Sequence, residues 1–257
     1  MSAGNEKSPA PQPSTKSNAQ TVEAAKDFIR EEDLTLFPER RGAYKDRSLL
    51  ARAFLGDESR RRRYCERNVV DAVRKAPLVK LMLHALRSHG CEVDLQRHVT
   101  CEYCSSDVTG GYDVTNNQIV ICYNTSSGQT VQGILAHELL HMFDHCRAHM
   151  DFNNAEHVAC SEIRAANLFH CSIISGMLSG TVTPLALSRS HARCVKQKAV
   201  ASLRSAMPDI TIRDGWRITN KVFDKCYNDL EPVGRRVRAR SEDPNRAYRE
   251  RFLYGYD

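Results

Sequence analysis

Residues 118–147 read QIVICYNTSSGQTVQGILAHELLHMFDHCR. The first five, Gln118-Ile119-Val120-Ile121-Cys122, are mostly β-branched and apolar and follow the turn signal Asn116-Asn117, so they predict a strand. Tyr112-Asp113-Val114, after Gly110-Gly111, predicts the other arm of a hairpin or a second strand. A polar loop spans 124–129. From Thr130 to Arg147, Val131, Ile134, Leu135, Leu139, Leu140 and Phe143 give an amphipathic helix, with His137-Glu138-Leu139-Leu140-His141 in its middle.

That pattern has a mechanical reading. Residues four apart on a helix share a face, one turn or about 6 Å apart along the axis. The imidazoles of His137 and His141 can therefore reach one Zn2+, a metal that takes neutral His nitrogens. Glu138 sits beside the open metal position, where it can act as general base towards a metal-bound water and pass a proton to the leaving amine. Burying two His and a Glu on a core-facing helix is costly without such a task. In zinc peptidases of this class the strand before the helix is the sheet edge along which a substrate peptide adds, so Gln118–Cys122 is expected at that edge.

A catalytic zinc needs a third protein ligand. His145 is eight residues from His137, about 12 Å along the axis, too far to share one ion across His141. Asp144 lies about 10 Å along from His137 with a short side chain, which favours a supporting or helix–helix role. Glu162 is 21 positions after His141 (162 − 141), enough chain for a turn and an antiparallel return. A Glu from a second helix is the ligand arrangement of gluzincin peptidases, so Glu162 is the expected third ligand and Asp144 the second candidate. The competing reading pairs Glu162 with Arg147 or Arg164. A thiol nucleophile made of His145 and Cys146 does not fit, because helix neighbours point about 100° apart.

Further out, Val69, Val70, Val73, Leu78, Leu81, Met82 and Leu86 fall at helical spacing, with a break at Pro77 and a stop at Gly90. Helices are expected over Ala155–Ser175, with Asn153 or Asn154 as N-cap and Gly176 as exit, over Ser190–Ala206, and over Asp214–Leu230 before Pro232 and Gly234. Residues 177–187 read as a loop. The fold class is therefore α+β and zincin-like: a small β-sheet or hairpin packed on an active-site helix, then a mainly helical C-terminal part. Residues 1–63 read as a disordered or weakly ordered arm, 64–234 as the peptidase domain and 235–257 as a basic tail.

The formal charge of +6 is concentrated at Arg60–Arg63 and in the seven arginines between 235 and 251. Such surfaces hold nucleic acid or anionic lipid, or are plain solvated faces. Tyr248, Tyr254 and Tyr256 interleave with the arginines of the tail. No stretch approaches the ~18 apolar residues of a membrane span. Ten cysteines, with neither an apolar secretory h-region nor an Arg-rich presequence, point to disulfides in an oxidising compartment, which the mitochondrial intermembrane space would reconcile. Cys146 and Cys160 flank the turn between the two site helices and are candidates for one bridge. Cys101-x-x-Cys104 is alternatively half of a zinc site, though no second C-x-x-C exists. The remaining histidines, His84, His89, His98, His149, His157, His170 and His191, read as surface or structural, with His157 a candidate for steadying an oxyanion.

Several strings occur in the order of a known family: Cys101-Glu102-Tyr103-Cys104, Gly110-Gly111-Tyr112-Asp113, Gln118-Ile119-Val120, the His137–His141 motif and Asp144-His145-Cys146-Arg147-Ala148. Ala159-Cys160-Ser161-Glu162-Ile163-Arg164-Ala165-Ala166-Asn167-Leu168, Cys194-Val195 and Cys226-Tyr227-Asn228-Asp229-Leu230-Glu231-Pro232 continue it. Over about residues 64–257 the chain resembles the mitochondrial inner-membrane metalloproteases that also act as ATP synthase F0 assembly factors. The resemblance implies zinc held by His137 and His141, catalysis by Glu138, and removal of the propeptide of F0 subunit 6. It also implies an assembly role independent of proteolysis, peripheral contact with the inner membrane, and cysteines oxidised on import. It does not settle the third ligand. Phe169-His170 before Cys171 departs from the family's usual run of small and acidic residues, and the loop at 176–190 is longer than expected. An assembly chaperone on a peptidase fold is the alternative function. A basic module with a structural zinc is a third reading, but no nucleic-acid motif is present and no nucleic-acid partner is expected.

Overall fold

The computed structural model describes residues 58–104, 108–148, 150–171, 187–238 and 240–257. The expected N-terminal arm as far as residue 57, and the loop around Gly176, lie outside the described residues. The first helices are α1 (Glu58–Lys75) and α2 (Pro77–Ser88). They are separated where expected: Ala76 is extended (φ −81°, ψ 115°) and Pro77 takes the first position of α2, where its missing N–H leaves no hydrogen bond unmade. Gly90 ends α2 in the left-handed region (φ 78°), with Gly90 N donating to Arg87 O at 2.9 Å and Cys91 N to Leu86 O at 2.9 Å, a Schellman cap.

After the single turn α3 (Leu95–His98) comes a three-stranded sheet of β1 (Val99–Glu102), β2 (Gly110–Asp113) and β3 (Gln118–Cys122). The order is β1-β3-β2, with β1 parallel and β2 antiparallel to β3. The β2–β3 hairpin turns through 114–117, where Asn117 has φ 49° and Asp113 Oδ1 accepts from Asn116 N at 3.2 Å. The arrangement corrects the sequence expectation for the edge. β3, the strand before the active-site helix, is central, and β2 is an edge. Ile119, Val120, Ile121 and Cys122 are all buried, so β3 is covered on both faces as well as paired at both edges.

The central helix α4 (Gly128–Ala148) carries the buried Leu135, Leu139, Leu140 and Phe143, and packs on α1, α2, β2 and β3. α5 (Ala155–Ala165) is capped by Asn154, whose side chain accepts from Glu156 N at 2.9 Å. The helix expected to continue to Ser175 does not do so in α form. Ala166–His170 is a π turn, closed by Cys171 N donating to Ala166 O at 2.8 Å, and Cys171 is extended. α6 (Leu187–Ala206) and α7 (Ile212–Asn228) pack with α5 and with each other. Their core includes Ile163, Val195, Ala199 and Phe223.

Residues 235–257, read from sequence as a basic tail, contain α8 (Asp243–Glu250) and a 3-10 turn (Arg251–Tyr254), and α8 packs on α2. Arg238 donates to buried Asp243 through Nε (2.7 Å) and Nη2 (2.9 Å), and buried Tyr256 donates to Glu231 Oε1 at 2.8 Å. All ten cysteines are paired: Cys65–Cys101, Cys91–Cys146, Cys104–Cys122, Cys160–Cys226 and Cys171–Cys194. The bridge proposed between Cys146 and Cys160 is thus not formed; Cys146 ties α4 to the end of α2, and Cys160 ties α5 to α7. Cys101 and Cys104 likewise belong to different disulfides and not to a zinc half-site. None of the described helices is long and apolar enough to cross a membrane.

Candidate metal centre

α4 and α5 together bring three donors to one point. His137 Nε2 and His141 Nε2 face each other at 2.9 Å, because i and i+4 share the inner face of α4. Glu162, on α5, places Oε1 3.4 Å from His141 Nε2 and Oε2 3.8 Å from His137 Nε2. The three donor atoms lie within 4.8 Å of one another. Four-coordinate zinc with arms of about 2.0–2.1 Å separates neighbouring donors by about 3.3 Å, so this set fits such an ion. Neither competing arginine pairs with Glu162. Arg164 is ion-paired with Asp144 and, at 3.1 Å, with Asp229; Arg147 pairs with Asp229 and Glu231.

The electrostatics point the same way. Burial, reinforced by His141, pushes the His137 pKa down to about 3. Burial also opposes a charge on His141, but the neighbouring Glu162 and Glu138 carboxylates outweigh it and raise that pKa. Glu162 is brought down to about 2 although burial works against its ionisation, because His141, His137 and the Ser202 hydroxyl favour the anion. His137 is thus held neutral and Glu162 ionised at the point where three donors meet, the forms in which an imidazole and a carboxylate bind a metal ion. Glu138, next along α4, is only 6% exposed, and burial, with Glu162 adding to the rise and His141 opposing it, pushes its carboxyl up to about 7.

These groups line a cleft of about 480 Å³. Gly110, Gly111 and Tyr112 of β2 also line it, as do Lys198, Ser202 and Ser205 of α6. Gly110 is required there: a Cβ would come within 2.7 Å of Ile134 Cγ2 and 2.8 Å of Val120 O, so only glycine lets β2 lie this close to α4 beside Glu138. Tyr112 donates to Asn117 Oδ1 at 2.7 Å and sits 2.9 Å from His145 Nδ1, so His145 faces β2 and not the centre.

Asp144, the second candidate ligand, lies outside the cluster and holds Ser161 Oγ at 2.8 Å; Ser161 Oγ is in turn 2.7 Å from His141 Nδ1. His157 is exposed, with Nδ1 accepting from Asp151 N at 3.2 Å, and is not among the residues lining the cleft, which removes it as an oxyanion donor. Sequence reasoning missed three contributors. Ser161 contacts His141. Tyr112 lines the cleft. His170, classed as surface or structural, places Nε2 2.7 Å from His137 Nδ1 and lines the cleft too. The available signal for Ser161 was its place beside Glu162; for His170 it was the departure from the family pattern at Phe169-His170.

The profile of the peptidase M76 family matches residues 63–234. A Xenopus laevis protein named mitochondrial inner membrane protease ATP23 homolog is 38% identical over 218 residues, covering 84% of this chain and 89% of its own length. The Homo sapiens protein of that name is 39% identical over 174 residues (66% of this chain, 69% of its own). The Schizosaccharomyces pombe mitochondrial inner membrane protease atp23 is 30% identical over 176 residues (68% and 93%). No solved structure matches. The motifs that resembled an inner-membrane protease family thus sit in a chain whose relatives carry that name, and the match runs through the sheet and both helices that bring His137, His141 and Glu162 together: the chain belongs to the peptidase M76 family.

Proposed function

We propose that this peptidase is a zinc-dependent endopeptidase of the mitochondrial intermembrane space, peripheral on the inner membrane, with His137, His141 and Glu162 as metal ligands and Glu138 as the catalytic group. The observation that carries it is the convergence of His137 Nε2, His141 Nε2 and the Glu162 carboxylate beside a buried Glu138, in a cleft walled by an edge strand. Zinc bound there would polarise a peptide carbonyl and acidify a water. The chain's own residues do the rest. β2 pairs only with β3 among the described residues, so an extended polypeptide can add along its other edge and pass Glu138. Glu138, with a pKa near neutrality, can take a proton and return it to the leaving amine. Burial of Glu138 and His141 limits competition from bulk water.

By its motifs the substrate is the precursor of ATP synthase F0 subunit 6, with assistance to F0 assembly as the companion role. The test uses the full oxidised chain. Zinc per chain is measured for the parent, Glu138→Gln and Glu162→Ala, alongside cleavage of the precursor. One zinc in the parent and in Glu138→Gln, loss of zinc in Glu162→Ala, and loss of cleavage in both variants are expected. A parent that binds no zinc, or a Glu138→Gln variant that cleaves normally, sinks the reading. A Glu138→Gln chain that still supports F0 assembly in mitochondria would assign assembly to the fold and not to the chemistry.

A further inference from the structure

We propose that Ser161, Asp144 and Arg164 form a buried positioning set that fixes the tautomer and ring orientation of His141, so that metal affinity depends on a hydroxyl and an ion pair that touch neither metal nor substrate. The proposal rests on the metal-centre reading above. The direction of every proton in the set follows from the one before. Arg164 is 1% exposed and ion-paired with Asp144, and a guanidinium offers only donors. Asp144 is therefore an anion that only accepts. Ser161 Oγ, 2.8 Å from Asp144 Oδ2, must spend its one proton there. Only the lone pairs of Ser161 remain for His141 Nδ1 at 2.7 Å, so Nδ1 carries the hydrogen. His141 Nε2, the atom facing His137 and Glu162, is thereby left as the lone-pair donor a metal needs.

The set has no slack. Ser161 is 2% and Asp144 5% exposed, so bulk solvent offers no substitute partner. Asp144 is also 3.4 Å from Arg147 Nε, and Arg164 is held from its far side by Asp229 at 3.1 Å. The partners come from three places in the fold: Asp144 and Arg147 from α4, Ser161 and Arg164 from α5, and Asp229 from the residue after α7.

The test is the Zn2+ affinity of the full oxidised chain, by competition with a chromophoric chelator, together with the visible absorption of its Co2+ form. Ser161→Ala is expected to bind Zn2+ about 10–100-fold more weakly, with an altered Co2+ spectrum. S161T and S161V have the same shape and differ only in the hydroxyl. S161T is expected within a few-fold of the parent and S161V as weak as S161A. Five disulfides and the metal-free melting temperature report folding separately. Parent-like affinity and spectrum in S161A, or equal losses in S161T and S161V, would overturn the proposal by showing that the hydroxyl is not what orients the ring. A parent that binds neither ion removes the metal-centre reading and this proposal with it.

Discussion

Replacing Glu138 by Gln should make the metal-free protein more stable at pH 8 and leave it nearly unchanged at pH 4. The unfolded chain ionises this carboxyl near 4.5, whereas burial in the folded protein raises it to about 7. Between those values the native state holds a proton that the unfolded state has released, so stability falls as pH rises through the window and the loss is constant above it. At pH 8 the full displacement corresponds to about 3 kcal/mol, an upper figure because water entry and local relaxation reduce it. For a domain of this size that is a rise in melting temperature of roughly 6–12 °C at most. Glutamine keeps the shape and removes the charge. Thermal unfolding in chelator, parent against variant at pH 4 and pH 8, measures the difference directly. An equal gain at both pH values, or none at pH 8, would refute the reasoning, since only ionisation of Glu138 makes the gain pH-dependent. The sign also bears on function: the position beside the three donors carries a carboxylate that destabilises the empty fold.

Other perturbations follow from the same contacts. Arg164→Ala leaves buried Asp144 with the more distant Arg147 (3.4 Å) in place of its pair with Arg164 and should lower stability by up to about 3–5 kcal/mol in urea unfolding; a loss under about 1 kcal/mol would mean the pair is not held as described. Gly110→Ala forces β2 away from Ile134 and the Val120 carbonyl, costing about 1–3 kcal/mol, with a fall in peptidase activity that exceeds the fall in zinc content. The double change Cys160→Ser with Cys226→Ser removes the disulfide between α5 and α7, at about 2–4 kcal/mol, and should also weaken zinc binding; unchanged zinc affinity would show that packing alone fixes α5.

How much of this was legible beforehand depended on range. The His137–His141 pair was readable because helical geometry alone brings i and i+4 together. Glu162 was readable as a chain-length argument: 21 positions from His141 admit a turn and a return. The edge strand was misplaced because strand order is a long-range property. The run Ile119-Val120-Ile121-Cys122, buried on both faces, was nonetheless a local sign of a central strand. β1, four residues paired in parallel with β3, was missed because Val99-Thr100-Cys101-Glu102 is short and its partner lies about 20 positions on. Helical periodicity could not place His170, because a π turn shifts it off the 3.6-residue period, and only the unusual Phe169-His170 pair marked it. Cysteine pairing could not be read, and the plausible local pair, Cys146 with Cys160, was replaced by two bridges to distant elements.

Those distant bridges explain why a site made of two helices needs a third. Cys160, Ser161 and Glu162 are consecutive on α5, and successive helical side chains point about 100° apart, so the three reach in different directions. Cys160 reaches α7 through its disulfide, Ser161 reaches His141, and Glu162 reaches the point where the imidazoles meet. A rotation of α5 about its axis would bring Glu162 nearer only by withdrawing the Ser161 hydroxyl and straining the link to α7. The Cys160–Cys226 disulfide and the Ser161 contact thus hold α5 in the same rotational setting from two sides of the helix. Cys91–Cys146 likewise ties the last turn of α4, the helix bearing both histidines, to the segment just after α2. On the proposed reading of His137, His141 and Glu162 as ligands, the bridges from α4 and α5 to outer helices would couple maturation of the centre to the redox state of the compartment in which the chain folds.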